Sequence, residues 1–292
     1  MPTINWYPGH IAKAERRLKE LANLVDVVVM LVDARIPQSS YYDDIENLIG
    51  DKPRLLLINK ADLAEPEITE LWKESFESKN ETVLVSNCTS SKDVNKIIKC
   101  TYDLGKPKIE RLIAKGRLPR AMRIMIMGMP NVGKSSLINR LVKCSKTKVG
   151  PKAGVTRSMQ WVRINPKVEL LDTPGIIPMK LSSQLRGVNL AIVNSVGENA
   201  YDPEEIAKEL VGQLWELCPD KLKNYYNLQD IEQLPTLEDI AKARNFKQSG
   251  GEPDVLRCAQ RILSDFRSGK IGKITLENSP NFKVTSTSEF RQ

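Results

Sequence analysis

The strongest constraint on how this 292-residue chain can fold is the order of three short segments. Gly128-Met129-Pro130-Asn131-Val132-Gly133-Lys134-Ser135 has the GxxxxGK[ST] spacing of a phosphate-binding loop. It lies between an apolar run, residues 123–127, that reads as a strand and residues 135–141, which read as a helix. Asp172-Thr173-Pro174-Gly175 follows the loop. Asn59-Lys60-Ala61-Asp62, the pattern of a base-contacting segment, comes about seventy residues before it instead of after it. The order of such loops fixes how a sheet is threaded, and this order implies a circular permutation of the usual nucleotide-binding arrangement.

The rest of the first half supports a parallel sheet. Residues 25–32, 54–58 and 82–85 are predominantly apolar runs, the mark of strands buried on both faces. Helical stretches separate them. Residues 11–24 place Ile11, Ala14, Leu18, Leu21 and Ala22 on one face and Lys13, Arg16, Arg17 and Lys19 on the other, and residues 41–50, 66–79 and 91–101 also read as helices. Strands alternating with helices specify a doubly wound α/β fold with a mostly parallel sheet. Residues 103–122 form a basic connector that reads as a solvated helix joining the base-reading half to the phosphate-reading half. Residues 159–164 and 168–171 read as a hairpin ending at Asp172. After about Pro178 the character changes to helices near 181–195, 203–217, 236–244 and 254–268, followed by a tail from Gly269. The expected architecture is a permuted P-loop domain over residues 1–178 and a small all-α carboxy-terminal domain over 179–292, with the boundary near 176–180.

Five scattered cysteines without a CxxC pair argue against a disulfide framework or a zinc site and for a reducing compartment. No signal-peptide pattern opens the sequence, and the longest apolar run is too short to span a bilayer. These features lead us to expect a cytoplasmic protein without a membrane partner. The net charge of +8 suits a polyanionic partner such as nucleic acid. Arg257, Arg261, Arg267, Lys270 and Lys273 cluster around the last helix and its exit, where they read either as contacts to RNA phosphates or as a solvated helix face.

The loops themselves specify chemistry. Gly128 and Gly133 allow the backbone amides to face a β-phosphate, Lys134 can bridge the β- and γ-phosphates as a catalytic cation, and the Ser135 hydroxyl suits magnesium. Asp62 can accept hydrogen bonds from N1 and N2 of guanine, which adenine lacks. Asn59 can reach the base edge, and the Lys60 stem can lie along the ring. Ser86-Asn87-Cys88, after the third strand, sits where a backbone amide can touch the guanine oxygen, although an ordinary turn reads equally well. Ala61, Val132 and Ser136 complete the nucleotide-contacting set. Asp172 would hold magnesium through water, Gly175 would sense the γ-phosphate, and Thr156, in Gly154-Val155-Thr156, is the candidate for the remaining magnesium ligand. Ile176 stands where many GTPases carry a water-orienting glutamine. His10, the only histidine, immediately precedes a helix that leads into a parallel strand, so topology brings it to the ligand edge, where it can act on water or serve as a structural residue.

The order NKAD, Ser-Asn-Cys, GMPNVGKS, GVT, DTPG resembles the circularly permuted GTPases. Within them, residues 5–14 (NWYPGHIAKA) and the stretch from Gly251 to Gly272 resemble the ribosome biogenesis GTPase A family, and the likeness covers nearly the whole chain. Mg2+ is expected from the loop residues, and a monomer is expected; the resemblance implies a GTPase that hydrolyses GTP to GDP, stimulated by potassium near Asn131. It implies action with rRNA and ribosomal proteins in late assembly of the large ribosomal subunit. It also implies a hydrophobic residue in place of the glutamine, which Ile176 satisfies, and His10 as its catalytic substitute. Two positions depart from the family pattern, Ala153 for a usual proline and Tyr7 for a common phenylalanine. A non-ribosomal GTPase switch that binds a protein effector, or a GTPase assisting RNA modification, are the alternative readings.

Overall fold

The computed structural model describes residues 8–88, 90–144, 161–171 and 183–280; for residues 8–14, 91 and 144 it describes the backbone alone. The expected Gly-Val-Thr loop, Asp172 to Gly175 and Ile176 lie outside the described residues. The first half runs α1 (Pro8–Ala22), β1 (Val27–Asp33), α2 (Pro37–Ser40), α3 (Ile45–Ile49), β2 (Arg54–Asn59), α4 (Pro66–Glu77), β3 (Thr82–Val85), α5 (Ser91–Ala114), β4 (Met122–Gly128) and α6 (Lys134–Cys144). The second half runs β5 (Trp161–Asn165), β6 (Val168–Leu171), α7 (Gln184–Ile192), α8 (Pro203–Leu217), α9 (Pro219–Tyr226), α10 (Leu237–Ala243) and α11 (Val255–Arg267).

The six strands form one sheet in the order β3-β2-β1-β4-β6-β5, parallel except for β5, which pairs antiparallel with β6. Every residue of β1 is buried, as its unbroken apolar run requires. Alternate side chains divide two layers: Val28, Met30 and Val32 pack with Leu18, Leu21, Trp72 and Phe76, while Val27, Val29 and Leu31 pack with α5 and α6 residues such as Ile97 and Leu137. The second cluster continues without a break into α7, α8, α10 and α11 through residues such as Val188, Leu210, Ile240 and Ile262.

Several expectations need correction. The helix expected over 91–101 and most of the basic connector are one 24-residue helix, α5, with Pro107 inside it. Pro107 removes one helical donor, but Pro107 and Asp103, the acceptor it would have used, are both exposed, so water can satisfy the carbonyl. Two residues earlier α5 crosses the sheet closely: a Cβ on Gly105 would lie 2.6 Å from Val27 Cγ2. The expected helix at 41–50 shrinks to the short α3, and α2, just before it, and α9 were not anticipated.

The expected tail from Gly269 is instead a strap laid back over the sheet. The amide of Ile274 donates to the Leu63 carbonyl at 3.1 Å, and that of Leu276 donates to the Arg35 carbonyl at 2.8 Å. The Trp72 indole donates to the Glu277 carbonyl at 2.9 Å. The Glu277 carboxylate accepts the Gln38 amide at 2.7 Å, the Ser39 amide and hydroxyl, and the Asn189 amide at 3.1 Å. Burial holds the Glu277 carboxyl above its usual range, opposed by those donors.

Candidate nucleotide site

Three loops leave the carboxy-terminal ends of β4, β2 and β3 at one edge of the sheet, where ligands of open α/β sheets bind. Asn59 joins them. Its side-chain amide donates to the Val132 carbonyl at 2.7 Å, and its oxygen accepts the Cys88 amide at 3.0 Å. Asn59 is 3% exposed and braces the loops against one another. The brace explains Gly133. That residue has a left-handed φ of 109°, and a Cβ there would collide with the Asn59 amide nitrogen.

Lys60 sits in the left-handed region with φ of 62°. Its ammonium donates to the Asn131 carbonyl at 2.7 Å and pairs with Asp33 Oδ2 at 2.9 Å. Ala61 and Asp62 begin a 3-10 turn. The Asp62 carboxylate is exposed and makes no bond to another described residue, so it is available to a ligand. In the third loop, Asn87 donates its amide to Asp93 at 3.1 Å, which orders the start of α5, and Ser86 accepts the Ala61 amide at 3.4 Å. The Cys88 thiol is buried and pushed up to about 12 by burial, which makes it a packing group and not a nucleophile.

The phosphate loop wraps the start of α6. Lys134 is 7% exposed and donates to the Gly128 carbonyl at 3.0 Å and to the Met129 carbonyl. Desolvation, helped by the nearby Lys60 charge, pulls its amine down to about 8. Ser135 and Ser136 are exposed in the first turn of α6, at the positive end of the helix. Among the proposed metal donors only Ser135 lies within the described residues, and its exposed hydroxyl suits a hard oxygen-seeking cation. Among the described residues no group of three His, Cys, Asp or Glu could hold a metal.

This chain is similar over most of its length to known GTPases. It is 40% identical to ribosome biogenesis GTPase A of Bacillus licheniformis, covering 94% of this chain and 98% of that protein. It is 30% identical to the Thermotoga maritima protein of the same name, covering 94% of each. The chain belongs to the ribosome biogenesis GTPase A family. A family model described as 50S ribosome-binding GTPase matches residues 123–214. The GDP-bound structure of Thermotoga maritima YlqF is similar to this chain with a TM-score of 0.65 and 25% identity, covering 90% of this chain and 99% of that one.

This member of the ribosome biogenesis GTPase A family is thus a guanine-nucleotide-binding enzyme that hydrolyses GTP and acts in ribosome biogenesis. Such enzymes typically use Mg2+. Its sheet order is the permuted threading that the motif order implied.

Three residues at this edge escaped the sequence reading. Asp33 ends β1. Asn194 accepts the Asn131 side-chain amide on its carbonyl, and Ser195 donates to the Pro130 carbonyl at 2.7 Å. Both follow α7, so the helical region grips the phosphate loop directly. Asp33 carried a legible signal, an acidic residue ending an apolar strand at the ligand edge. Asn194 and Ser195 carried none. Among the basic residues near α11, Arg257, Arg261, Lys270 and Lys273 are exposed. Arg267 is only partly exposed. It donates to the Ile192 carbonyl at 2.8 Å, the Ala191 carbonyl at 2.9 Å and the Tyr201 hydroxyl at 2.9 Å, which closes the end of α7. Among the described residues no helix is long and apolar enough to cross a membrane.

Proposed function

We propose that this GTPase acts as a cytoplasmic monomer on the large ribosomal subunit late in its maturation and leaves after hydrolysis. The observation that carries the reading is the meeting of the three loops on Asn59 in a chain similar to ribosome biogenesis GTPase A along most of its length. The matching family model's description as 50S ribosome-binding favours the large subunit. The exposed Arg257, Arg261, Lys270 and Lys273 supply positive charge for rRNA. Residues 1–178 form the nucleotide-binding module in this reading, and residues 179–292 the ribosome-facing one.

Within the site, Asp62 reads N1 and N2 of guanine, Lys134 neutralises the β- and γ-phosphates, and the loop amides between Gly128 and Ser135 cradle the anion. Ser135, Thr156 and Asp172 would hold Mg2+, which supplies charge stabilisation when bound. Asn131 commits its side-chain nitrogen to Asn194, which leaves its oxygen for a potassium ion. His10 lies in the first turn of α1. Tyr42, beyond the ligand-side end of β1, donates to Glu15, and His10 lies about 7.5 Å further toward the start of α1 at 1.5 Å per residue. This supports a placement from which the imidazole could orient water in the absence of a glutamine. Co-sedimentation with isolated large subunits tests the function, in GTP analogue and in GDP, with turnover measured in potassium and in sodium. The reading expects analogue-dependent binding and faster turnover in potassium. Absence from the large subunit in both nucleotide states would overturn it.

A further inference from the structure

Asp33 and Arg35 lie at the ligand-side end of β1 but belong to none of the loops assigned to the nucleotide. Both are buried, with exposures of 0% and 1%. Arg35 grips Asp33 with two prongs, Nε to Oδ1 at 2.9 Å and Nη2 to Oδ2 at 2.8 Å, and its backbone amide adds a third bond at 3.1 Å. Lys60 approaches the same carboxylate at 2.9 Å and reaches the Asn131 carbonyl at 2.7 Å. Behind Arg35, Nη1 donates to the Arg267 carbonyl at 3.2 Å, and the guanidinium lies 5.4 Å from the centre of the Phe266 ring.

A buried Asp–Arg pair is already charge-balanced. A third, positive group leaves the cluster with excess charge, which folding alone does not call for. The arrangement makes sense as a clamp on Lys60. A lysine is a point charge on a flexible stem. With its backbone fixed by the turn and its ammonium tied to Asp33 and Asn131, the stem between them has one course. In the proposed site that stem is the part lying along the base ring, so fixing it beforehand removes an ordering cost from binding.

We propose that Asp33 is a positioning residue for guanine-nucleotide binding that acts through Lys60, and that Arg35 braces it against the end of α11. The inference rests on the assignment of residues 59–62 as the base-reading segment. A stem lying on the ring contacts any purine alike, so the effect of Asp33 is blind to the exocyclic amino group that Asp62 reads.

The test is a double-mutant cycle on the full-length protein, read by displacement of a ribose-labelled fluorescent GDP by GDP and by inosine diphosphate. Asp33→Asn combined with Arg35→Gln removes both buried charges together, which spares the fold an unpaired ion. It should weaken both nucleotides by the same factor, about tenfold for the loss of one charged hydrogen bond. With Lys60→Met already present, the pair should cause little further loss. If the pair lowers the melting temperature, Arg35→Lys reads the same quantity, because it keeps both charges while giving up the two-pronged grip and the brace to Arg267. Unchanged GDP affinity in these variants, or a loss undiminished on the Lys60→Met background, would overturn the proposal. Asp62→Asn run in parallel separates the two levels. If it leaves GDP affinity intact, the base-reading assignment fails and the inference falls with it. If it weakens GDP while the Asp33 variants do not, only the inference falls.

Discussion

The Lys134 amine is pulled down to about 8 from the usual 10.5, because it is buried among carbonyls and near the Lys60 charge. The sign of the consequence follows. Between those two values the unfolded chain holds a proton that the folded one lacks, so stability of the nucleotide-free protein rises as pH climbs through that window. A bound diphosphate restores the charge. GDP binding above pH 8 should therefore take up a proton, and affinity should fall as pH rises. Calorimetric titration in two buffers of different ionisation heat checks this; no buffer dependence would contradict it. At Asp62 the exposed carboxylate predicts that Asp62→Asn weakens GTP binding and favours xanthosine triphosphate, whose ring offers a carbonyl at that edge. Competition between the two triphosphates measures the switch, and equal GTP affinity in both proteins would sink the assignment. His10→Ala should slow GTP turnover by roughly ten- to a hundredfold on the ribosomal subunit, within the range for a positioned side chain, with little change in nucleotide affinity. Wild-type turnover on the subunit would make His10 structural.

The elements around α11 divide its basic residues by role. Arg257 lies over the Phe246 ring at 5.6 Å and stays exposed, and Arg261 pairs with buried Asp265 at 3.0 Å while keeping its own side chain in solvent. Arg267 turns inward and satisfies the last carbonyls of α7. Arg267→Ala should cost about 1–3 kcal/mol by denaturant unfolding, since it strands the Ile192 carbonyl, while the Ala191 carbonyl keeps the Asn194 amide. Charge reversal at Arg257 and Lys273 should leave stability within about 0.5 kcal/mol. It should also weaken binding to the large subunit and flatten its salt dependence. Subunit binding that is unaltered by the reversal would remove this face from the interface.

At the scale of the molecule, the α7–α11 region is bound to the sheet through a shared core, the grip of Asn194 and Ser195 on the phosphate loop, and the strap ending at Glu277. Such a shared core predicts one unfolding transition for the nucleotide-free chain, with calorimetric and van't Hoff enthalpies that agree. Two resolved transitions would show that the helical region melts by itself. The same contacts give the nucleotide a physical route to the proposed ribosome-facing helices, since the residues that hold the phosphate loop follow α7 directly.

The sequence by itself determined the threading, because glycines, lysine and acidic residues at strand ends leave a local signature, and their order along the chain is the order of the loops. It determined which runs are buried on both faces, because residues 27–32 of β1 and 55–58 of β2 are unbroken apolar stretches. Only the tertiary structure decided that Asn59 holds three loops together, that Arg267 faces inward and that the stretch after Gly269 is a strap. Each of these depends on partners far away in sequence, such as Arg35 with Arg267 or Trp72 with Glu277. A basic or polar side chain reads the same in sequence whether water or a distant carbonyl satisfies it. The fold supplies the carbonyl, and with it the role.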